Sequence, residues 1–187
     1  MMNLLIDIGN SSAKVAISEN KKIIEDFRFV ELDTDKILDI INEYKIQNSA
    51  LSNVSTNNEK LKKILTENTS FYSFSNEIRI PFNCSYKLTD VGDDRLALMA
   101  AAHYDFPREN VLVIDMGTCI TYDIKTSNNN YKAGGISPGL RMRIKSISDG
   151  AFKLNEIKPT YPESFIASDT KSSLDIGIVM GIKSEIE

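Results

Sequence analysis

Two stretches of the chain repeat one pattern, and no other feature limits the fold as much. Leu4-Leu5-Ile6 runs into Asp7-Ile8-Gly9-Asn10 and, past Ser11-Ser12-Ala13, into Lys14-Val15-Ala16-Ile17. Val111-Leu112-Val113-Ile114 runs into Asp115-Met116-Gly117-Thr118 and on through a second strand-like run to Ile124. Each reads as a strand, a tight turn with an aspartate at its mouth, and a second strand. Asp and Gly are preferred turn residues, so one copy alone would be an ordinary strand-to-turn corner. Two copies point to two related half-molecules built for phosphate and metal. Glycine lets backbone N–H groups come close to an anion, and the neighbouring hydroxyls and amide add donors. The aspartates can hold a metal ion or an ordered water beside the phosphates.

Between the copies the periodicity changes repeatedly. Met2–Gly9, Ala13–Glu19 and Lys22–Leu32 read as a three-strand meander, with Glu19-Asn20-Lys21 as a turn. Asp33–Tyr44 has helical spacing, with Ile37, Leu38, Ile40 and Ile41 on one side and Asp33 or Thr34 as N-cap. Ala50–Val54 reads as a strand, Glu59–Leu65 as a helix and Phe71–Phe74 as a strand. A loop with a short extended piece is expected over Asn76–Thr89, then a helix over Asp90–Tyr104 with an alanine-rich packing face. In the second half, Asn128–Asn130 is a turn and Tyr131–Ile136 a strand. Gly134–Gly139 reads as a loop entering a helix, Leu140–Phe152. Lys153–Ser168 looks irregular, and Leu174–Glu187 begins a last helix. Strands alternating with helices after an early meander describe an α/β chain with mixed sheets.

Bulk properties narrow the partners. The net charge is −4, from 22 basic and 26 acidic residues, which speaks against a nucleic-acid surface. Cys84 and Cys119 are the only cysteines. Two thiols and no secretory leader imply a reduced, cytoplasmic protein without a disulfide framework or zinc set. No apolar run approaches membrane-spanning length, so no membrane partner is expected.

Several residues carry candidate chemistry. Asp93 and Asp94 stand where a helix starts, and two readings stay open: an N-cap, which the exposed N–H groups and helix dipole favour, or a general base in phosphoryl transfer. One can cap while the other catalyses. His103, the only histidine, lies inside the alanine-rich helix and reads as a packed or surface residue. Cys119 has no base beside it and reads as a small core thiol. Arg141, Arg143 and Lys145 could touch phosphates, but their spacing of two puts them on different helical faces, so a solvated face is expected. Tyr86 and Thr170 pass as ordinary loop residues.

The set of motifs resembles one family. Asp7-Ile8-Gly9-Asn10-Ser11, Gly92-Asp93-Asp94-Arg95, Asp115-Met116-Gly117-Thr118 and Gly134-Gly135-Ile136-Ser137-Pro138-Gly139 occur in the order and spacing of the type III pantothenate kinases, within the acetate/sugar kinase, Hsp70 and actin superfamily. The resemblance runs from Met2 to about Gly181. It implies two actin-like (ribonuclease H-like) domains with an interdomain ATP cleft, an N-terminal one over 1–108 and a C-terminal one over 109–187. Family members run to roughly 240–260 residues, so the second domain is expected to lack its C-terminal end. The implied reaction is ATP-dependent phosphorylation of pantothenate, the first step of coenzyme A biosynthesis. Asp94 resembles the family's proton acceptor. Asp7, Ile8, Gly9, Asn10, Ser11, Ser12, Ala13 and Lys14 resemble its first phosphate loop, with Thr118 a second ATP contact. Tyr86, Gly92, Asp93, Asp94, Arg95 and Thr170 would line pantothenate, and Asp115 would hold the monovalent cation, K+ or NH4+, that acts beside Mg2+-ATP. A homodimer is implied. The alternatives are a non-catalytic, kinase-like transcriptional regulator, or another small-molecule kinase of the same superfamily.

Overall fold

A computed structural model describes residues 1–9, 12–53, 58–73, 80–150 and 158–187 of the chain. The expected phosphate-loop residues Asn10 and Ser11 lie outside the described residues. So do the strand ends expected at Val54 and Phe74 and the helix end expected at Phe152.

The first meander forms as its alternation demands. β1 (Met2–Ile8), β2 (Ala13–Glu19) and β3 (Lys22–Phe29) pair antiparallel in sequence order. Asn20 and Lys21 turn β2 into β3 with φ of 50° and 66°. Two positive φ values in a two-residue loop match the right-handed twist of the strands they join. β4 (Asn48–Asn53) and β5 (Ser70–Ser73) then add parallel to β1, giving the order β3-β2-β1-β4-β5. The connections between the parallel strands are helical, as such crossovers require. α1 (Thr34–Glu43) starts on the Asp33 carboxylate, which accepts the Asp35 N–H at 2.9 Å. α2 (Glu59–Asn68) follows β4. Leu4, Ile6, Val15 and Ile17 from the strands meet Ile37, Ile40, Ile41, Leu61 and Leu65 from the helices in one buried core. Each such side chain, fully buried, contributes roughly 1.5–3 kcal/mol.

A second sheet has the order β6-β9-β8-β7, from β6 (Asn83–Cys84), β7 (Val111–Met116), β8 (Cys119–Lys125) and β9 (Asn130–Pro138). Its order β9-β8-β7 repeats β3-β2-β1, so the duplication read in the sequence extends to strand order. α3 (Asp93–Asp105) precedes it. A second core gathers Phe82, Val91, Leu96, Met99 and Tyr131. Lys125, fully buried, spends its charge on the loop after α3: its Nζ donates to the Phe106 and Glu109 carbonyls at 2.6 and 3.1 Å. A cation suits carbonyls left unpaired past a helix C-terminus.

The chain forms two compact units, Met1–Val113 with Asp123–Gly134, and Ile114–Tyr122 with Gly135–Glu187. The second contains α4 (Leu140–Gly150), α5 (Thr170–Asp175), a π-helical segment (Ile176–Met180) and α6 (Gly181–Ile186). Among the described residues no helix is long and apolar enough to cross a membrane.

Three expectations need correction. The strand expected over Tyr131–Ile136 runs on through Ser137 and Pro138, so the loop expected from Gly134 is strand as far as Pro138. Its glycines do not break the ladder, and Pro138, which lacks an N–H, is the last residue of the strand. The helix expected from Asp90 starts at Asp93, after a 3-10 turn at Leu88–Asp90, and Gly92 is its N-cap. Neither aspartate is therefore the cap. The last helix starts at Thr170, not Leu174, because Asp169 and Ser172 form a capping box. The Asp169 carboxylate accepts the Ser172 N–H at 2.7 Å, and the Ser172 hydroxyl accepts the Asp169 N–H at 3.0 Å.

Candidate active site

Asp7 stands near the end of β1, a strand bonded on both sides. Its register partners are Lys14 on β2 and Ser52 on β4. Both reach it: Lys14 Nζ lies 3.6 Å from Oδ2, and the Ser52 hydroxyl donates to Oδ1 at 3.2 Å. Ammonium, carboxylate and hydroxyl thus form a polar row across three neighbouring strands. The turn beyond it closes through the Gly9 N–H, which donates to the Ser12 carbonyl at 3.1 Å. Ser52 was not singled out in the sequence; the parallel register of β4 with β1 is what sets it beside Asp7.

The Gly92–Arg95 motif caps and opens α3. Asp93 and Asp94 occupy the first turn, where N–H groups have no intrahelical partner and the dipole favours negative charge. Asp94 is half-buried, and its Oδ1 accepts the Arg95 N–H at 2.8 Å. The Arg95 side chain turns inward and is buried. Its Nε and Nη2 donate to the two Asp123 oxygens at 2.8 and 2.5 Å, a bidentate fork. The Tyr131 hydroxyl donates to the same carboxylate at 3.0 Å. Hydrogen bonding to Asp123 pushes the Arg95 guanidinium above its ordinary value, and burial together with the Asp123 charge pushes the Tyr131 phenol up. Asp123 and Tyr131 are thus the anchor of the motif, and sequence reading missed both.

The second Asp-x-Gly turn joins β7 to β8. Asp115 and Thr118 are half-buried, and the Gly117 N–H donates to the Cys119 carbonyl at 2.9 Å. Gly139, at the start of α4, lies directly on this turn. A Cβ there would stand 2.4 Å from the Gly117 carbonyl oxygen and 2.6 Å from that of Thr118. The Gly139 N–H donates to the Thr118 oxygen at 3.0 Å. Only glycine permits this approach. Gly139→Ala is expected to cost about 1–3 kcal/mol by overpacking, read as a lower thermal midpoint; an unchanged midpoint would mean that the turn yields freely.

Tyr86 lies in the loop after β6 and exposes 51% of its surface. Thr170 is exposed at the first position of α5. Asp7, Lys14, Tyr86 and Gly92–Arg95 belong to the first compact unit, and Asp115, Thr118 and Thr170 to the second. His103 is paired, its Nδ1 3.1 Å from Asn129 Oδ1. Arg143 is not part of a solvated face: it pairs with Glu185 and donates from Nε to the Pro138 carbonyl at 2.8 Å.

No group of three His, Cys, Asp or Glu side chains among the described residues could hold a metal by itself. Single carboxylates such as Asp7 suit a magnesium ion that takes its other ligands from phosphate oxygens and water. The donor set therefore fits a metal that arrives with a nucleotide.

A meander led by Asp-x-Gly, met twice, defines an α/β protein with mixed sheets. The family model described as type III pantothenate kinase matches residues 3–187. A type III pantothenate kinase of Christiangramia forsetii is 36% identical over 189 residues, spanning 100% of this chain and 78% of the relative. One of Flavobacterium johnsoniae is 34% identical, again over 100% of this chain and 78% of the relative. A crystal structure of a conserved putative Baf family transcriptional activator from Campylobacter jejuni is similar with a TM-score of 0.59 and 30% identity, covering 98% of this chain and 77% of that one. The chain belongs to the type III pantothenate kinase family.

Proposed function

We infer that the chain carries its family's reaction, transfer of the γ-phosphoryl group of ATP to the primary hydroxyl of pantothenate, giving 4'-phosphopantothenate for coenzyme A. The observation that supports this reading is the match over residues 3–187 with Asp7, Asp94 and Asp115 all in place. Asp94 orients the hydroxyl and takes its proton as the new O–P bond forms and the bond to the departing ADP oxygen breaks. Gly92, Asp93 and Arg95 shape the pantothenate site around it, with Tyr86 and Thr170 as further contacts. The Gly9–Ser12 backbone and Lys14 hold phosphate oxygens, and the Thr118 hydroxyl adds a second nucleotide contact. Asp7 is the residue that would hold or orient the divalent ion, directly or through water. Held there, the ion would supply charge neutralisation for the loose transition state.

Finer points of the reading are a monovalent cation at Asp115, a homodimer, a cytoplasmic location, and a division into actin-like halves at 108/109. The cation has a direct test. Turnover in potassium or ammonium should exceed turnover in sodium at equal ionic strength, and equal rates would remove a selective site from Asp115. Similarity to the Campylobacter protein favours a second reading, transcriptional regulation. Pantothenate-dependent ADP release separates the two: release points to the kinase, and its absence with ATP bound points to the regulator.

A further inference from the structure

We propose that Arg143 is a positioning residue for the Gly117–Thr118 turn, clamping Pro138 and Gly139 onto it and so fixing the Thr118 hydroxyl where a nucleotide meets it. The inference rests on the reading of Thr118 as an ATP contact. Arg143 lies one helical turn into α4, and its own N–H donates to the Gly139 carbonyl at 3.0 Å. Its side chain folds back along the same segment. Nε donates to the Pro138 carbonyl at 2.8 Å, and Nη2 reaches the Ser137 hydroxyl at 3.4 Å. The same Nη2 pairs with the Glu185 carboxylate of α6. Glu185 accepts a second bond, from the Tyr122 hydroxyl at 2.9 Å, on the strand that leaves the turn. The Ser137, Arg143 and Tyr122 donors hold the Glu185 carboxyl below the ordinary range.

The geometry makes this more than a surface ion pair, which alone would contribute little. A guanidinium has a planar fork of donors and can hold a backbone carbonyl and a carboxylate at once. Here it links three pieces: the end of β9, the start of α4 and α6. The end of β9 is what presses on the turn, since Gly139 leaves no room for a Cβ against the Gly117 and Thr118 oxygens. Freedom at Pro138–Gly139 therefore becomes freedom at Thr118.

The test compares Arg143→Met, Arg143→Lys and Thr118→Ala with the parent chain. The readouts are KM for ATP, KM for pantothenate, and amide hydrogen exchange. In Arg143→Met, exchange at the Gly117 and Gly139 amides should quicken by about tenfold beyond any chain-wide change. KM for ATP should rise about fivefold, the scale of one lost hydrogen bond, with KM for pantothenate within about twofold. Arg143→Lys keeps one donor for the Pro138 carbonyl and should recover part of both effects. Exchange that rises uniformly, or stays unchanged at those two amides, would give Arg143 a merely structural role and overturn the proposal. So would a normal ATP KM in Arg143→Met alongside a raised one in Thr118→Ala. If Thr118→Ala itself leaves ATP KM unchanged, the nucleotide reading of the turn fails, and the exchange result alone then says whether Arg143 fixes the turn.

Discussion

Asp94→Asn is expected to lower kcat by about 10²–10⁴ while leaving ATP affinity close to that of the parent. Asparagine keeps the shape and can still accept the Arg95 N–H, as Asp94 Oδ1 does at 2.8 Å. What it loses is the charge and the ability to take a proton. Fold and nucleotide site should therefore survive, and the loss should fall on the chemical step. Steady-state turnover with pantothenate, together with ATP titration monitored by fluorescence or calorimetry, reads both quantities. Turnover within twofold of the parent would take Asp94 out of the mechanism and pass the proton-acceptor role to Asp93, its neighbour in the first turn of α3.

The second large effect concerns stability. Asp123→Ala removes the carboxylate that holds Arg95 and leaves a guanidinium buried without its counter-charge. The two side chains are 9% and 3% exposed, so water cannot simply take over. Removing one partner of such a pair costs about 3–5 kcal/mol. For a chain of this size that is a fall in Tm of roughly 6–20 °C. The same change should weaken pantothenate use, because Arg95 adjoins Asp94 and loses its anchor. Thermal unfolding of Asp123→Ala beside a double variant, Arg95→Met with Asp123→Leu, separates the causes. An apolar pair of similar volume should recover much of the stability but not the activity. A single-variant Tm within 2 °C of the parent would mean that the pair is dispensable to the fold.

Why the sequence hid Asp123 is instructive. β8 reads Cys119-Ile120-Thr121-Tyr122-Asp123-Ile124-Lys125, and strand alternation assigns Ile120, Tyr122 and Ile124 to the core and the polar set to water. The structure buries Thr121, Asp123 and Lys125 as well as Ile120, and leaves Ile124 43% exposed. Asp123 and Lys125 can be buried because Arg95 and Tyr131 pair with the first and the Phe106 and Glu109 carbonyls with the second. Partners 8 to 28 residues away leave no mark in a local pattern. The same limit explains Arg143, whose spacing from Arg141 and Lys145 says nothing of Glu185, 42 residues on. What was legible was local: the two Asp-x-Gly hairpins, the meander, and the faces of α1 and α2. The element ends that shifted, at Asp93 and Thr170, were decided by caps, Gly92 and the Asp169–Ser172 box.

The order in which the first core is assembled carries a consequence for biosynthesis. Among the described residues, its buried members lie between Leu4 and Leu65, and the partly buried ones extend to Phe71. A ribosome releasing this chain thus delivers a sheet that can close before any residue of the second meander has been made. Domains generally fold as units, N-terminal first, during synthesis. The helix bearing Asp94 would then emerge beside a platform already formed.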